Sequence, residues 1–446
     1  PTRRSSDLLF DWNGDLFLVD ALGQAPDTLI KGASAATFAA WTPDGRAILY
    51  WNRTRGDLFH YDLEAAAATP LGLVPAGESV AGLAIDGARR RLIFSKGPFG
   101  GDKNLWAVAL DASFRPAGPA APLNLTPTDD IECVLSPDGR QLAFTARQVE
   151  RHLYRYPLDP ASGFPRLDRE PEVLTRRGRL NYYPALSADG RKLAWTSHRH
   201  GKGSLYFRTL GDREGRKVTS EWSNNIREIV PSLGAGGEPI LYASTRGGRY
   251  QLWQATRVGG VALPLTQSAH PTVRDVSPML SPDEASVVFY SNRAGTWDIW
   301  RLDLNGDEEA APVPLTDWPG NELYPMWSPD NINLAFIADQ GGNADIWIMA
   351  ADGSRPQVMI EHPARESWAS WSADGRWFFF VSDRNGQFNL WAKPTSGGAE
   401  QPVTDFRDPA FGMPENAPYT KFALSKEALV LPLERRRGEV YVLELE

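Results

Sequence analysis

The stretch 371–398, WSADGRWFFFVSDRNGQFNLWAKPTSGG, places two turns and two apolar strands in a fixed order. Its Asp-Gly pair at 374–375 suits a tight turn, because aspartate caps the turn with its carboxylate and glycine adopts the left-handed conformation. The run at 377–382 is too short and too rich in aromatic residues for a helix. A second turn, at 383–386, leads into a strand around Trp391. The stretch therefore predicts an antiparallel β-meander.

The same order of turns and strands recurs along the chain. The tight-turn signature is clear at 41–46, 135–140, 186–191, 280–285, 327–332 and 371–376. An aromatic strand residue recurs at Phe17, Phe59, Trp106, Tyr154, Tyr206, Trp253, Trp300, Trp347, Trp391 and Tyr441. These residues span 424 positions in nine steps, a mean period of about 47. A Leu-Thr or Val-Thr pair keeps that period at 125–126, 174–175, 218–219, 265–266, 315–316 and 403–404.

A period of this length with four short strands and no helix-length segment is typical of a propeller blade. We predict an all-β protein, a single closed β-propeller of four-stranded antiparallel blades, about nine in number, with eight and ten as open alternatives. The stretch 419–446 supplies the inner three strands of a blade, and 8–30 supplies the outer three. We therefore expect residues 9–446 to form one ring, closed by pairing of N- and C-terminal strands.

The composition argues against several classes of partner. The net charge of −8 does not favour a nucleic-acid surface, which depends on clustered Lys and Arg. No run of 18 apolar residues occurs, so we predict no membrane span in this chain. The single cysteine, Cys133, lies in an apolar strand and is interpreted as a core residue. We expect a monomer without a cofactor.

Residues 1–8, PTRRSSDL, can be read as the translation of a sequencing adapter joined in frame to the gene. We expect this segment to be a non-native scar and exclude it from fold reasoning. On that interpretation the native N-terminus, with any signal peptide or further domain, is missing from the sequence.

The stretches 135–146, 327–354 and 371–398 resemble the TolB-like propeller repeat, and the resemblance covers essentially the whole chain after residue 8. The family includes periplasmic TolB of the Tol–Pal system, which binds protein partners. It also includes the C-terminal sensors of winged-helix regulators resembling CadC, and the propellers that gate prolyl-oligopeptidase and tricorn-type peptidases. The resemblance therefore implies the fold more strongly than it implies one function.

Domain order favours one of these contexts. The chain stops shortly after its last aromatic strand, whereas the peptidases carry their hydrolytic machinery C-terminal to the propeller sequence. We expect a non-enzymatic protein- or ligand-binding or sensor propeller, the C-terminal part of a larger bacterial envelope or signalling protein. We expect it in the periplasm or another extracytoplasmic compartment, with the cytoplasm left open. A substrate-gating peptidase propeller is the alternative, and a propeller enzyme acting on a polysaccharide is a third.

The chemical motifs predict neither a catalytic nor a metal site. No G-x-S-x-G elbow, H-E-x-x-H motif or glycine-rich phosphate loop occurs. His198 and His200 form a close pair, but no third metal ligand accompanies them. The segment 303–309 spaces Asp and Asn like a calcium loop but lacks that loop's glycine and final glutamate. Both segments are interpreted as polar turns.

The segments that begin the inner strands are the candidate binding site. In a propeller they converge on one mouth of the central channel, where a protein, a peptide or a small-molecule ligand would enter. The alternative is that these residues only complete the turns. The candidate residues are Glu132, Tyr183, Arg227, Glu228, Arg274, Asp275, Glu322, Tyr324, Glu366 and Trp368.

Overall fold

The computed structural model describes residues 8–12, 15–19, 27–30, 36–52, 55–75, 78–98, 102–125, 128–178, 180–199, 203–219, 226–256, 258–268, 270–305, 311–340, 343–414 and 420–445, with side chains from residue 38 onward. These residues form β-strands in nine sheets and no α-helix. The predicted all-β class and the four-stranded antiparallel blades are confirmed. The predicted scar at 1–8 lies outside the described residues except for Leu8.

The chain divides into two compact units, residues 1–149 with 436–446, and residues 150–435. The first unit begins with three sheets of consecutive strands: β1 (Leu8–Trp12), β2 (Asp15–Val19) and β3 (Asp27–Ile30); β4 (Ala36–Trp41), β5 (Ala47–Asn52), β6 (Asp57–Asp62) and β7 (Ala67–Pro70); β8 (Glu78–Asp86), β9 (Arg91–Pro98), β10 (Asn104–Ala109) and β11 (Ala121–Pro122). Its last sheet consists of β12 (Asp129–Leu135) and parts of β13 (Gln141–Pro157) and β37 (Ala428–Glu444).

The second unit contains five regular blades. Their strands are β15 (Asn181–Leu186), β16 (Lys192–Ser197), β17 (Ser204–Thr209) and β18 (Arg216–Lys217); β19 (Glu228–Leu233), β20 (Ile240–Ser244), β21 (Gln251–Ala255) and β22 (Ala262–Pro264); β23 (Asp275–Leu280), β24 (Ser286–Ser291), β25 (Asp298–Asp303) and β26 (Val313–Pro314); β27 (Glu322–Trp327), β28 (Asn333–Asp339), β29 (Ala344–Ala350) and β30 (Gln357–Ile360); β31 (Glu366–Trp371), β32 (Trp377–Ser382), β33 (Asn389–Pro394) and β34 (Gln401–Pro402).

A sixth blade of this unit combines distant parts of the chain. Its strand order is β36 (Ala423–Leu424), the first half of β37, the second half of β13, and β14 (Glu172–Val173). The short strand β35 (Phe411–Gly412) also pairs with β37. The pairing of β37 with β13 is antiparallel, because Leu158 N donates to Glu427 O at 2.9 Å and the Arg151 guanidinium contacts the Glu434 carboxylate.

The inner strands of these six blades contact one another in a complete cycle. β15, β19, β23, β27 and β31 contact in that order, and β36 contacts both β31 and β15. Residues 150–435 therefore form a six-bladed propeller around a central tunnel.

The predicted single ring, closed through an N-terminal strand, differs from this arrangement. Among the described residues, β37 pairs with β13, whereas β3 pairs with β2. The physical reason lies in two strands of 17 residues each, β13 and β37. The segment 147–152 lacks the glycine that ends the second strand of other blades, so β13 continues where a hairpin was expected.

The tight turns adopt the predicted geometry. The Ser372 hydroxyl donates to Asp374 Oδ1 at 2.6 Å, and the same oxygen accepts from Arg376 N at 3.0 Å. The Ser372 hydroxyl is the first cause that lowers the pKa of Asp374, to about 2. Gly375 has a φ of 71°, which an L side chain rarely adopts. The turns at 187–189, 281–283 and 328–330 repeat the serine-to-aspartate hydrogen bond.

The core lies between neighbouring blades. The second strand of each blade is almost wholly buried; Phe378, Phe379 and Phe380 of β32 are each 0% exposed. Leu241 on one blade packs in the same cluster as Phe289 on the next. Each sheet therefore buries its faces against its neighbours rather than alone.

Candidate functional site

The first residue of an inner strand is a buried polar group in five blades of the 150–435 unit. Asn181 begins β15, and carboxylates begin the next four inner strands: Glu228, Asp275, Glu322 and Glu366. All five residues are at most 3% exposed. A buried carboxylate needs a cation, a proton or several hydrogen bonds, so its partners decide its role.

Three of the four carboxylates pair with an arginine 18 residues later in the same blade. The N–O distances are 3.2 Å for Arg246–Glu228, 2.6 Å for Arg293–Asp275 and 3.0 Å for Arg384–Glu366. Each guanidinium also lies over the tryptophan of the third strand, 5.0, 5.0 and 4.8 Å from the ring centroids of Trp253, Trp300 and Trp391. These acids therefore hold the blade together and are not free to bind a ligand.

Glu322 lacks this arginine because Gln340 occupies the equivalent position. Gln340 Nε2 donates to Glu322 Oε1 at 3.3 Å. Burial is the main cause that raises the pKa of Glu322, and the neighbouring Asp298 raises it further. Burial likewise raises the pKa of Asp298, which is 0% exposed. Both carboxyl groups are therefore harder to ionise than exposed ones.

Glu366 remains difficult to ionise despite its arginine. Burial raises its pKa to about 7, against the opposing hydrogen bonds from Arg384 and Ser382. The Ser382 hydroxyl donates to Glu366 Oε1 at 3.0 Å. Oε1 therefore has its partners within the blade, while Oε2 is buried without a hydrogen bond among the described residues.

A bulge in the inner strands places one side chain per blade at the tunnel. Each of the five regular inner strands shifts register at its third residue. Four of the bulge residues have a positive φ of 51–57°: Tyr183, Val230, Ser277 and Tyr324. Such an angle is unusual for a valine, and it marks a strained backbone.

Trp368 and Lys421 occupy the bulge position in the remaining two blades. Lys421 lies two residues before Ala423, which pairs with Val430 as Ala185 pairs with Ala194 in the first blade. Lys421 is thus the equivalent of Tyr183. The six tunnel residues are Tyr183, Val230, Ser277, Tyr324, Trp368 and Lys421.

Aromatic rings dominate this tunnel layer. The ring centroids of Tyr324 and Trp368 are 5.3 Å apart, and Tyr290 is also 5.3 Å from Tyr324. Tyr182 packs edge-on against Tyr183 at 4.8 Å. Rings at these separations contribute beyond their buried area, so they stabilise the side of the layer that they form.

Arginines flank the tunnel entrance. Arg227, Arg274 and Arg365 each precede the first residue of an inner strand. Arg274 and Arg365 are exposed, while Arg227 is half-buried. Arg365 pairs with Asp383 at 2.7 Å. The carboxylates that follow these arginines in the sequence, Glu228, Asp275 and Glu366, are buried. The more exposed charge at these three strand starts is therefore basic.

The structure brings together nine of the ten predicted site residues in the 150–435 unit. Glu132 lies on β12 in the other unit and is exposed. Sequence reasoning overlooked Lys421, Val230 and Ser277. Aligning Ser425 with the serine of the other tight turns would have placed Lys421 at the bulge position. The 18-residue spacing from acid to arginine was also visible in the repeats.

Only one member of the histidine pair lies in the described part of the chain. His198 is hydrogen-bonded through Nε2 to the Tyr182 hydroxyl, and burial lowers its pKa to about 4, with Arg227 and Arg151 contributing. His200 and residues 306–309 of the segment 303–309 lie outside the described residues. No group of three potential metal ligands occurs in the described part of the chain.

The ring of four-stranded blades and the tunnel layer define the class of this protein as a β-propeller. The family model "TolB beta propeller domain" matches residues 167–311 and 310–424. The chain therefore belongs to the TolB β-propeller family. A search finds no match among curated proteins.

Several solved structures are similar to this chain at low sequence identity. A TolB-type protein from Agrobacterium tumefaciens is 18% identical, with 65% of this chain and 99% of that chain covered and a TM-score of 0.51. TolB from Acinetobacter baumannii is 13% identical, with 82% of each chain covered and a TM-score of 0.46. A prolyl endopeptidase is 11% identical, with 89% and 49% covered and a TM-score of 0.36. Among the described residues, no helix is long and apolar enough to cross a membrane.

Proposed function

We propose that residues 150–435 bind a peptide or protein ligand at the arginine-flanked mouth of the tunnel, and that the chain acts as a non-enzymatic binding or sensor propeller. The proposal rests on a difference in exposure between two groups of side chains at the inner strands. The acids pair within their blades, whereas Tyr324 and Arg274 remain partly or wholly exposed. Aromatic and arginine side chains are the groups that most often anchor protein ligands.

The test is a selection of peptides on the full chain. A random 12-residue peptide library is screened, and the selected peptides are measured by fluorescence anisotropy. Tyr324→Ala and Arg274→Ala are expected to weaken binding about ten-fold or more, since anchoring residues contribute at least one to two kcal/mol. Val358→Ala, on the outer strand β30, is the matched control and should bind like the parent.

Two results would contradict the proposal. One is that no peptide is selected, or that the selected peptides bind all three variants equally. The other is a native reading frame that continues downstream into a Ser-His-Asp hydrolase, which would favour the substrate-gating function.

We also propose an extracytoplasmic location within a larger bacterial envelope or signalling protein, on the family resemblance. The native 5′ end of the gene tests this proposal. A signal peptide, or a winged-helix domain followed by a membrane span, is expected there. A catalytic domain encoded upstream would contradict it.

A further inference from the structure

The tunnel layer of the six-bladed unit contains an amine that has no charged partner among the described residues. Lys421 is 3% exposed. Its Nζ donates to the carbonyl oxygen of Pro231 at 2.9 Å and lies 5.2 Å from the ring centroid of Trp368. Pro231 belongs to β19 and Trp368 to β31, so the side chain reaches across the tunnel from the sixth blade.

This environment contrasts with that of the buried arginines. Arg246, Arg293 and Arg384 each have a carboxylate within 3.2 Å. In the described part of the chain, one carbonyl oxygen accepts a hydrogen bond from Lys421, although an ammonium group can donate three. Burial alone lowers the pKa of Lys421 to about 7.

A second polar group in the same layer is unsatisfied. Ser277 occupies the bulge position of the third blade and is 0% exposed. Its hydroxyl has no hydrogen-bond partner among the described residues. A buried hydroxyl without a partner is costly, so the layer has unused hydrogen-bonding capacity on two blades.

We propose that Lys421 and Ser277 form a binding site for a carboxylate group in the tunnel. The inference rests on the proposed binding function and names the chemistry of its ligand. A carboxylate accepts hydrogen bonds at both oxygens and supplies the negative charge that Lys421 lacks. Lys421 and Trp368 are at most 3% exposed, and a charge pair away from water is stronger.

The entrance favours the same ligand. Arg227 and Arg274 flank the mouth, and basic groups attract an anionic ligand toward the tunnel. An aspartate or glutamate side chain, or the C-terminus of a peptide, would supply the carboxylate. The carboxylate pairs with the ammonium form of Lys421; above pH 7, where the amine is mostly neutral, binding takes up one proton from solvent, and no other covalent bond forms or breaks.

The probe for the test is acetate, compared with chloride at equal ionic strength. The full chain is labelled with ¹³C-lysine, and the Lys421 signal is assigned by its absence from Lys421→Met. In chloride this signal should titrate near neutral pH, and saturating acetate should move its midpoint upward by about one unit or more. An unchanged midpoint in acetate would overturn the proposal.

Matched variants separate the site from the surface. Lys421→Met keeps the length of the side chain and removes an unpaired buried charge, so it should remain folded. Lys192→Met is the control, because Lys192 Nζ also donates to a backbone carbonyl, that of Gly236 at 2.6 Å, but at the surface. Acetate should raise the melting temperature of the parent and of Lys192→Met, and not that of Lys421→Met.

Ser277→Ala tests the second polar group. It should weaken the binding of acetate, measured by the rise in melting temperature, about five-fold or more. An equal effect on all four proteins would contradict the site.

The two proposals fail in different ways. If selected peptides bind but acetate leaves Lys421 unaffected, the carboxylate site is wrong and the binding function stands. If acetate acts on Lys421 but no peptide is selected, the peptide-binding function is wrong and the carboxylate site stands.

Discussion

Lys421 illustrates how a single position of the repeat diverges. The equivalent residues in the other five blades are neutral. Lys421 therefore introduces an amine into a layer of mainly aromatic side chains, away from water. The energetic cost of charging this amine is the physical basis of its lowered pKa. The same burial makes a pH dependence of stability measurable.

We predict that Lys421 destabilises the folded state most at and below neutral pH. Its pKa is about 7 when folded and about 10.4 when unfolded, so between these values the unfolded chain binds more protons. The free energy of unfolding should therefore rise with pH across this range, by up to about 1.4 kcal/mol per pH unit from this group. Urea unfolding of the parent and of Lys421→Met at pH 7 and 10 measures the effect. Lys421→Met should have a higher free energy of unfolding than the parent at pH 7, and this difference should shrink at pH 10. The same difference at both pH values would refute the prediction.

Gln340 is a second divergent position, and it suggests a stabilising change. Replacing it by arginine would restore the pair that Glu228, Asp275 and Glu366 make in their own blades. We expect Gln340→Arg to raise the free energy of unfolding at pH 7 by about 1–2 kcal/mol, because a charged hydrogen bond would replace a neutral one. Gln340→Met is the control and should destabilise the protein. A Gln340→Arg variant less stable than the parent in urea would contradict the interpretation.

The sequence predicted which residues lie at the start of the inner strands but not their roles. Glu228 and Asp275 stand before hydrophobic strands in a loop-like context, which is typical of a channel mouth. Their burial follows from the arginine 18 residues later, which folds back over the strand. That contact depends on how closely the hairpin packs, and a local pattern does not contain this information.

At the scale of the element, the recurring threonine of the Leu-Thr pairs has a defined role. The threonines that follow the outer strands are 2–5% exposed. Thr266 Oγ1 accepts from Leu252 N at 3.1 Å, and Thr316 and Thr404 make the same bond to Ile299 N and Leu390 N at 2.9 Å. The threonine therefore satisfies a backbone donor of the third strand that the short fourth strand leaves unpaired.

We predict that Thr266→Val destabilises the protein by about 1–2 kcal/mol, because the buried N–H of Leu252 loses its hydroxyl partner while the shape is kept. Urea unfolding provides the measurement. Thr209→Val, at the exposed end of β17, is the control and should change stability by less than about 0.5 kcal/mol. Equal stability of the two variants would show that the hydroxyl has no such role.

Element lengths were the least predictable feature of the blades. A turn was expected after Ala146 because other blades turn there, yet β13 runs on to Pro157. β37 likewise continues without a turn to Glu444, and its Gly438 is extended rather than left-handed. The segment 147–152 has no glycine, and Gly438 does not form a turn, so pairing between the two long strands outweighs the local repeat.

At the scale of the whole molecule, the repeat period gives the number of blades but not the number in a ring. The period of about 47 residues predicted about nine blades, and the described residues form nine hydrogen-bonded sheets, one of them six-stranded. Where a ring closes depends on which distant strands pair, and the pairing of β13 with β37 joins segments nearly 300 residues apart. Six inner strands then enclose the tunnel layer on which both proposals depend.

The most direct test of this account is hydrogen exchange of β37, measured by mass spectrometry on the full chain. Residues 428–435 lie between β36 and β13 in the sixth blade. They should therefore exchange as slowly as β20 and β24, the second strands of regular blades. Exchange of 428–435 within seconds, as in an unpaired C-terminal segment, would contradict the six-bladed ring.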